Sequence, residues 1–374
     1  MPLHYKEREN ETIPYVDIMS LYPYICKYFK FPIGHPITHI GDDCKNIEAC
    51  LRMECLIKFS IVPPEKLYHP VLLFRCDNNL MLCLCRMCVL TSSSVEECVH
   101  NRVEDRTLTG TWVMDKVRLT VKKRYRILEI YEVYEYQVTQ YDLEIGESGH
   151  CVANINRILN LKAEASGYLG WVYSAEDEDR YVDSFWQNEG TQLDKEANRY
   201  NAAKLGLDKF CLNPIWGKLT ERNDRTMKKI ITESNELFGF LSTPSVEVTK
   251  LAFGSVDVVN ISWNRGAEEG VPNLPNTNEV IGDYVTAGAG IHLYRYLDRL
   301  GENAMYCDKY SVIYIQPSGE PSLIESGDNL GDITSELRSS DTIKEFVSGE
   351  AKNYAYRVLD TGEVNKRLCA MSEA

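Results

Sequence analysis

The run from Arg126 to Thr139, RILEIYEVYEYQVT, alternates apolar and polar residues along most of its length. A period of two marks an extended strand with one covered face, so the run predicts a long half-buried strand and commits the chain to sheet as well as helix. Immediately before it, residues 111–124 (TWVMDKVRLTVKKR) carry the 3.6-residue period, with Trp112, Val113, Lys116, Val117 and Thr120 on one side. That pattern predicts a helix leading into the strand.

The same two periods, punctuated by Gly and Pro, divide the rest of the chain. Residues 12–18 (TIPYVDI) predict a strand ending at Asp17, followed by a turn and a short helix in MSLYPYICKYFKF; Pro32, Gly34 and Pro36 then break the pattern. A small β-rich unit is expected over 52–84, and helices over 150–167, from Ala175 onward, and over 195–212 with an end near Pro214. Residues 241–264 read as a hairpin, and 281–301 as a long helix closed by Gly301. AMYCDKYSVIYI is a strand-turn-strand centred on Asp308 and Lys309, and the last ten residues are expected to fray.

Composition limits what such a fold can be for. With 41 Lys and Arg against 55 Asp and Glu the net charge is −14, which argues against a protein that grips nucleic acid over its whole surface. The longest apolar runs, such as VLLF and SVIYI, are too short to span a membrane, and MPLHYKERENE lacks the apolar core of a signal peptide. The nucleus or cytoplasm is the default expectation, with no membrane partner. The 13 cysteines are odd in number, which favours free thiols or metal ligands over a disulfide framework. Cys85-x2-Cys88 followed by Cys98-x-His100 offers three thiolates and an imidazole, a complement suited to tetrahedral Zn²⁺. Cysteine is also a common small buried hydrophobe, and Cys83 and Cys85 alternate within the apolar run MLCLC, so both readings stay open.

Asp17 and Asp308 each close an apolar strand-like run, a place where aspartate commonly serves a turn or cap. The strings around them say more. YVDIMSLYP (15–23) resembles the DxxSLYP motif of family B DNA polymerases, KFCLNPIWGK (209–218) resembles their K-x3-NSxYG motif, and YCDKYS (306–311) resembles their YxDTDS motif, all in the family's order. KNY (352–354) resembles the KxY motif of the protein-primed members. HPVLLFRCDNNLMLCLCRMC, LKAEASGYLGW and NPIWGKLTERNDRT are similar to polymerase regions of Polinton or Maverick DNA transposons.

This resemblance implies an α+β fold: a palm of antiparallel sheet and helices, helical fingers and β-rich insertions. It implies palm with the first motif over 1–40, palm strands and a protein-primed-type insertion over 41–149, and fingers over 150–218. A second insertion over 219–274, the third-motif palm hairpin over 275–345 and the start of a thumb over 346–374 complete it. The family's exonuclease domain and full thumb find no room in 374 residues, so a palm-and-fingers part is expected.

The implied activity is DNA-directed DNA synthesis, with Asp17 and Asp308 holding Mg²⁺ in a two-ion site that activates the primer hydroxyl and stabilises the leaving pyrophosphate. Ser20, Leu21, Tyr22, Lys209, Asn213 and Gly217 are the implied nucleotide-binding residues, with Tyr22 under the sugar and Lys209 neutralising triphosphate charge. Ser311, Lys352 and Tyr354 are implied at the primer strand. The implied partners are primer-template DNA, dNTP and a terminal protein.

Several residues depart from the family pattern. Lys309 and Tyr310 stand where it has threonine and a second aspartate. A neutral phenol cannot replace a hard anionic ligand, and an adjacent lysine repels the cation. Pro214 replaces a serine, Leu205 takes a position that tends to be basic with Lys204 one residue off, and Asp208 sets a negative charge beside Lys209. Weakened catalysis is the expectation. Two other readings stand beside it: a non-catalytic DNA-binding remnant or domesticated transposon protein, and a zinc-stabilised interaction module on Cys85, Cys88, Cys98 and His100. The charge objection softens locally, because residues 116–126 hold six Lys or Arg and no acid.

Overall fold

The computed structural model describes residues 3–76, 79–91, 98–142, 151–168, 170–212, 214–220, 226–255, 257–265, 277–338, 341–350, 353–358 and 364–368. The chain divides into a larger unit, 1–213 with 283–374, and a smaller one, 214–282.

In chain order the larger unit contains β1 (Leu3–Lys6), β2 (Tyr15–Ile18), α1 (Leu21–Tyr28), β3 (Phe31–Ile40), β4 (Cys55–Val62), β5 (Leu108–Val113), α2 (Met114–Lys122) and β6 (Arg126–Thr139). Then follow α3 (Val152–Ser166), α4 (Ala175–Glu189), α5 (Ala202–Leu212), α6 (Glu279–Leu300, which begins in the smaller unit), β7 (Ala304–Cys307) and β8 (Ser311–Tyr314). β9 (Ile333–Ser335), β10 (Ile343–Glu350), β11 (Asn353–Val358) and β12 (Val364–Leu368) follow, with shorter helices and strands between these elements.

Among the described residues these strands form three four-stranded antiparallel sheets, in the orders β7-β8-β2-β9, β3-β6-β4-β5 and β1-β10-β11-β12, and two further two-stranded pairs join Glu11–Thr12 to Gln316–Pro317 and Leu73–Cys76 to Asn79–Leu82. The expected 126–139 strand is β6, paired on both sides. Its neighbour β4 is buried along nearly its whole length, and Ile57, Phe59 and Ile61 join Leu108, Met114, Val117 and Val133 in one hydrophobic core. Each such side chain contributes roughly 1.5–3 kcal/mol on burial. A second core joins the first and third sheets through Ile13, Tyr15, Ile313, Ile343, Phe346 and Tyr354.

The structure differs from the sequence reading in four places. The helix expected over 111–124 begins only at Met114, because 108–113 extends the second sheet as β5, paired with β4 from Leu56–Val113 to Ile61–Leu108. Pro32, Gly34 and Pro36, expected to break the pattern, lie inside a strand: β3 runs through them, absorbing the irregularity as a register shift between Ile33 and Ile37, with Gly34 at φ 72°. The helix expected from 195 starts at Ala202. Of the last ten residues, expected to fray, Asn365–Leu368 lie in a strand, Val364–Leu368, that pairs with β11 along its whole length.

The smaller unit contains the helices Pro214–Leu219 and Ser234–Ser242 and a three-stranded antiparallel sheet of Met227–Ile231, Val258–Arg265 and Val246–Ser255, with the middle strand being Val258–Arg265. Pro214 is the first described residue of its helix. Among the described residues no helix is long and apolar enough to cross a membrane.

Candidate active site

The first sheet brings two of the distant motifs together. β2 lies between β8 and β9, with Asp17 opposite Ser311 on one side and Thr334 on the other. Tyr15, Val16 and Ile18 are buried while Asp17 is half-buried, so the strand's packing leaves one acid at its end partly accessible. The β7-β8 hairpin closes with the Asp308 amide donating to the Ser311 carbonyl at 2.9 Å, and the Asp308 carboxylate accepts from the Lys309 amide at 2.7 Å. Asp308, the residue after β7, together with Ser311 on β8 and Asp17 on β2, therefore forms a row across this end of the sheet. Two strand spacings put the backbones of the two aspartates about 10 Å apart.

Tyr310 occupies the position closer to Asp17. Its carbonyl accepts from the Ile18 amide at 2.8 Å, and its side chain is 41% exposed. Tyr22, the second residue of α1, lies near both Tyr310 and Asp308, and burial first, then these two groups, push its phenol above the usual range.

The turn between β2 and α1 is held from several sides. Ser20 precedes α1 in a left-handed conformation, φ 50°, and its hydroxyl accepts from Lys162 of α3 at 3.2 Å. The Met19 amide donates to the Asp332 carbonyl at 2.8 Å, and the Gly331 amide donates to Met19 at 2.9 Å. Further along α1, the Lys27 ammonium donates to the Glu189 carbonyl at 2.6 Å and to its carboxylate at 3.2 Å. That carboxylate also accepts from Tyr28 at 3.1 Å and from the Leu330 amide at 2.9 Å. Lys162 lies in the quoted stretch LKAEASGYLGW, although nothing in the string singled it out; the Lys27–Glu189 pair had no local signal at all.

The other expected residues are placed as follows. Leu21 and Ser311 are buried. Tyr354, expected at the primer strand, is 4% exposed within an aromatic cluster of Tyr15, Tyr306, Phe346 and Tyr356, and its hydroxyl is 2.8 Å from that of Tyr15. It supports the sheets from inside. Gly217 lies in the smaller unit, and a Cβ built on it meets no atom within 4 Å. Asn213 and Lys352 lie outside the described residues, as do the side chains of Lys209 and Asp208. The basic stretch 116–126 is less available than its sequence suggests: Lys116 is buried, Arg118 pairs with Glu54 at 2.9 Å and Asp115 at 3.0 Å, and Lys123 pairs with Asp298. Lys122, Arg124 and Arg126 remain exposed.

A second group converges away from the aspartates. The donor atoms of Cys85, Cys88, Cys98 and His100 all lie within 4.8 Å of one another.

No protein-family model matches the chain, and no curated protein matches it. Among solved structures, it is similar to Phi29 DNA polymerase complexed with primer-template DNA and incoming nucleotide substrates, with a TM-score of 0.53 and 14% identity, over 99% of this chain and 53% of that one. The orthorhombic crystal form of Phi29 DNA polymerase gives a TM-score of 0.51 and 15% identity, over 97% and 50%. The chain thus spans about half the length of these structures, and within that span it has a polymerase-like α+β fold with antiparallel sheets.

Proposed function

We propose that the chain is the palm-and-fingers part of a protein-primed family B DNA polymerase of the Polinton type, which binds primer-template DNA and dNTP but transfers nucleotides poorly. The row of Asp308, Ser311 and Asp17 at one end of the first sheet carries this reading. The likeness in fold to a polymerase solved with primer-template DNA and incoming nucleotide supports it. On this reading the palm comprises 1–40, the strands within 41–149, and 275–345; the fingers comprise 150–218; 219–274 is the second insertion, and a thumb begins at 346.

Tyr22 would pack under the incoming sugar, with Ser20 and Leu21 setting the turn before it. By the motif resemblance, Lys209 would meet the triphosphate, and Asn213 and Gly217 would let the nascent base pair approach. Lys352 would bind the primer, with Ser311 and Tyr354 shaping the sheets beneath it. A terminal protein would supply the priming hydroxyl. Magnesium bound by such a site activates the primer 3′-hydroxyl and stabilises the leaving pyrophosphate. The donors present do not fit that two-ion arrangement: Asp17 and Asp308 flank the strand, while the position nearer Asp17 carries a phenol beside the Lys309 ammonium. The same substitution favours a second reading, a DNA-binding protein descended from a polymerase and without synthesis of its own.

Both readings require DNA binding. If Lys122, Arg124 and Arg126 each neutralise one phosphate, log K falls with log salt at a slope of about −2.7, or roughly 40-fold from about 50 to 200 mM. Fluorescence anisotropy with a labelled primer-template measures this, and replacing all three by alanine should flatten the slope. Absence of binding at low salt refutes both readings.

A further inference from the structure

We propose that Cys85, Cys88, Cys98 and His100 bind one structural Zn²⁺. The geometry carries this independently of any polymerase reading. Tetrahedral zinc has Zn–S of about 2.3 Å and Zn–N of about 2.0–2.1 Å, which sets each sulfur about 3.5–3.6 Å from the nitrogen and the sulfurs about 3.8 Å apart. His100 Nδ1 lies 3.6 Å from Cys85 Sγ, 3.4 Å from Cys88 Sγ and 3.8 Å from Cys98 Sγ. Three sulfurs thus surround one ring nitrogen at the edge length of a zinc tetrahedron.

The backbone explains the convergence. Cys85 is extended and directly precedes the short helix Arg86–Leu90, so Cys88 sits in its first turn and both sulfurs face one point. Cys98 and His100 approach from the segment before the helix Val103–Arg106, whose Arg106 guanidinium donates to the carbonyls of Pro63 and Pro64 at 3.2 and 2.7 Å. Neither helix exceeds five residues, too short to persist without tertiary support. A metal joining them supplies that support, and four protein ligands leave no open coordination position, so the role is structural. Burial grades from Cys85, which is buried, to Cys98, which is exposed, giving the ion a path in.

The test is elemental analysis of the whole chain purified without a polyhistidine tag, expected to show about one zinc per chain. Cys98→Ala, at the exposed ligand, and His100→Ala should lower the zinc content at least tenfold. His100→Cys, which keeps a tetrahedral donor set, should retain it, as should Cys55→Ser, a buried thiol outside the cluster. Exchange with Co²⁺ should give the visible bands of a tetrahedral thiolate site. Zinc-free protein whose Cys85, Cys88 and Cys98 all react with a thiol reagent would overturn the proposal, as would zinc content that Cys98→Ala and His100→Ala leave unchanged.

Discussion

Replacing Glu189 by alanine should destabilise the larger unit by about 3–5 kcal/mol, the cost of leaving a buried charge without its partner. The side chains of Lys27 and Glu189 are 0% and 4% exposed, and the ammonium sits 3.2 Å from the carboxylate. Burial is the leading influence on Lys27 and lowers its pKa, whereas Glu189 pulls in the opposite direction. Without the carboxylate, Lys27 keeps the Glu189 backbone carbonyl and the faces of the Tyr28 and Tyr141 rings, neither of which carries a full negative charge, and the Tyr28 hydroxyl and Leu330 amide lose an acceptor. Urea unfolding should show a lower midpoint with an unchanged slope. Replacing both partners, Lys27→Met with Glu189→Met, should cost less than the single change or even stabilise, because no uncompensated charge remains. A loss below about 1 kcal/mol for Glu189→Ala, or a double variant as damaged as the single, would refute the reasoning. The effect reaches the candidate site, since Lys27 lies on the helix that begins at Leu21, and the 330–332 segment bonded to Glu189 also holds Met19.

Lys116 is buried and its pKa is lowered to about 8 by desolvation. Its folded pKa lies below its unfolded one, so stability rises with pH between about 8 and 10.5 and the full penalty, up to about 3 kcal/mol, applies below pH 8. Lys116→Met should therefore stabilise the protein at pH 7 and remove that rise, measured as the difference between the two proteins' urea curves across pH. Ser174→Ala breaks the capping box in which Ser174 Oγ accepts from the Asp177 amide at 3.2 Å, and should cost about 1 kcal/mol in the same assay. Ser20→Gly relieves a left-handed residue and should stabilise by roughly 0.5–1 kcal/mol, less whatever the Lys162 contact contributes.

Periodicity and punctuation made the chain's local structure legible, and pairing between distant segments was not. The alternation of 126–139 showed one strand, but not that 108–113 would be drawn out of a helical pattern to pair with β4. Helical spacing put Lys116 on the same side as Val117 and Thr120, and all three are buried; the charge count alone had read it as part of a basic surface. The Cys85–His100 spacing offered the right donors but left the reading of buried thiols open, and it is the fold that brings the four donor atoms within 4.8 Å of one another. Lys27 and Glu189 are ordinary in their local strings and become a buried pair only when α1 meets the end of α4. Asp17 and Asp308 could be picked out from their motifs, whereas Ser311 standing between them, and Tyr310 nearer Asp17, emerge only from strand register.

The central claim is that the phenol at position 310 fills the place where nucleotidyl transfer needs a carboxylate. Primer extension on a primed template with Mg²⁺ or Mn²⁺, comparing the unmodified chain with the Tyr310→Asp, Lys309→Thr variant, tests it most directly. Little or no extension is predicted for the unmodified chain and a gain of about three orders of magnitude, about 4 kcal/mol in barrier, for the variant, abolished again by Asp17→Asn. Robust synthesis by the unmodified chain, or a variant that binds primer-template yet gains nothing, would contradict the account.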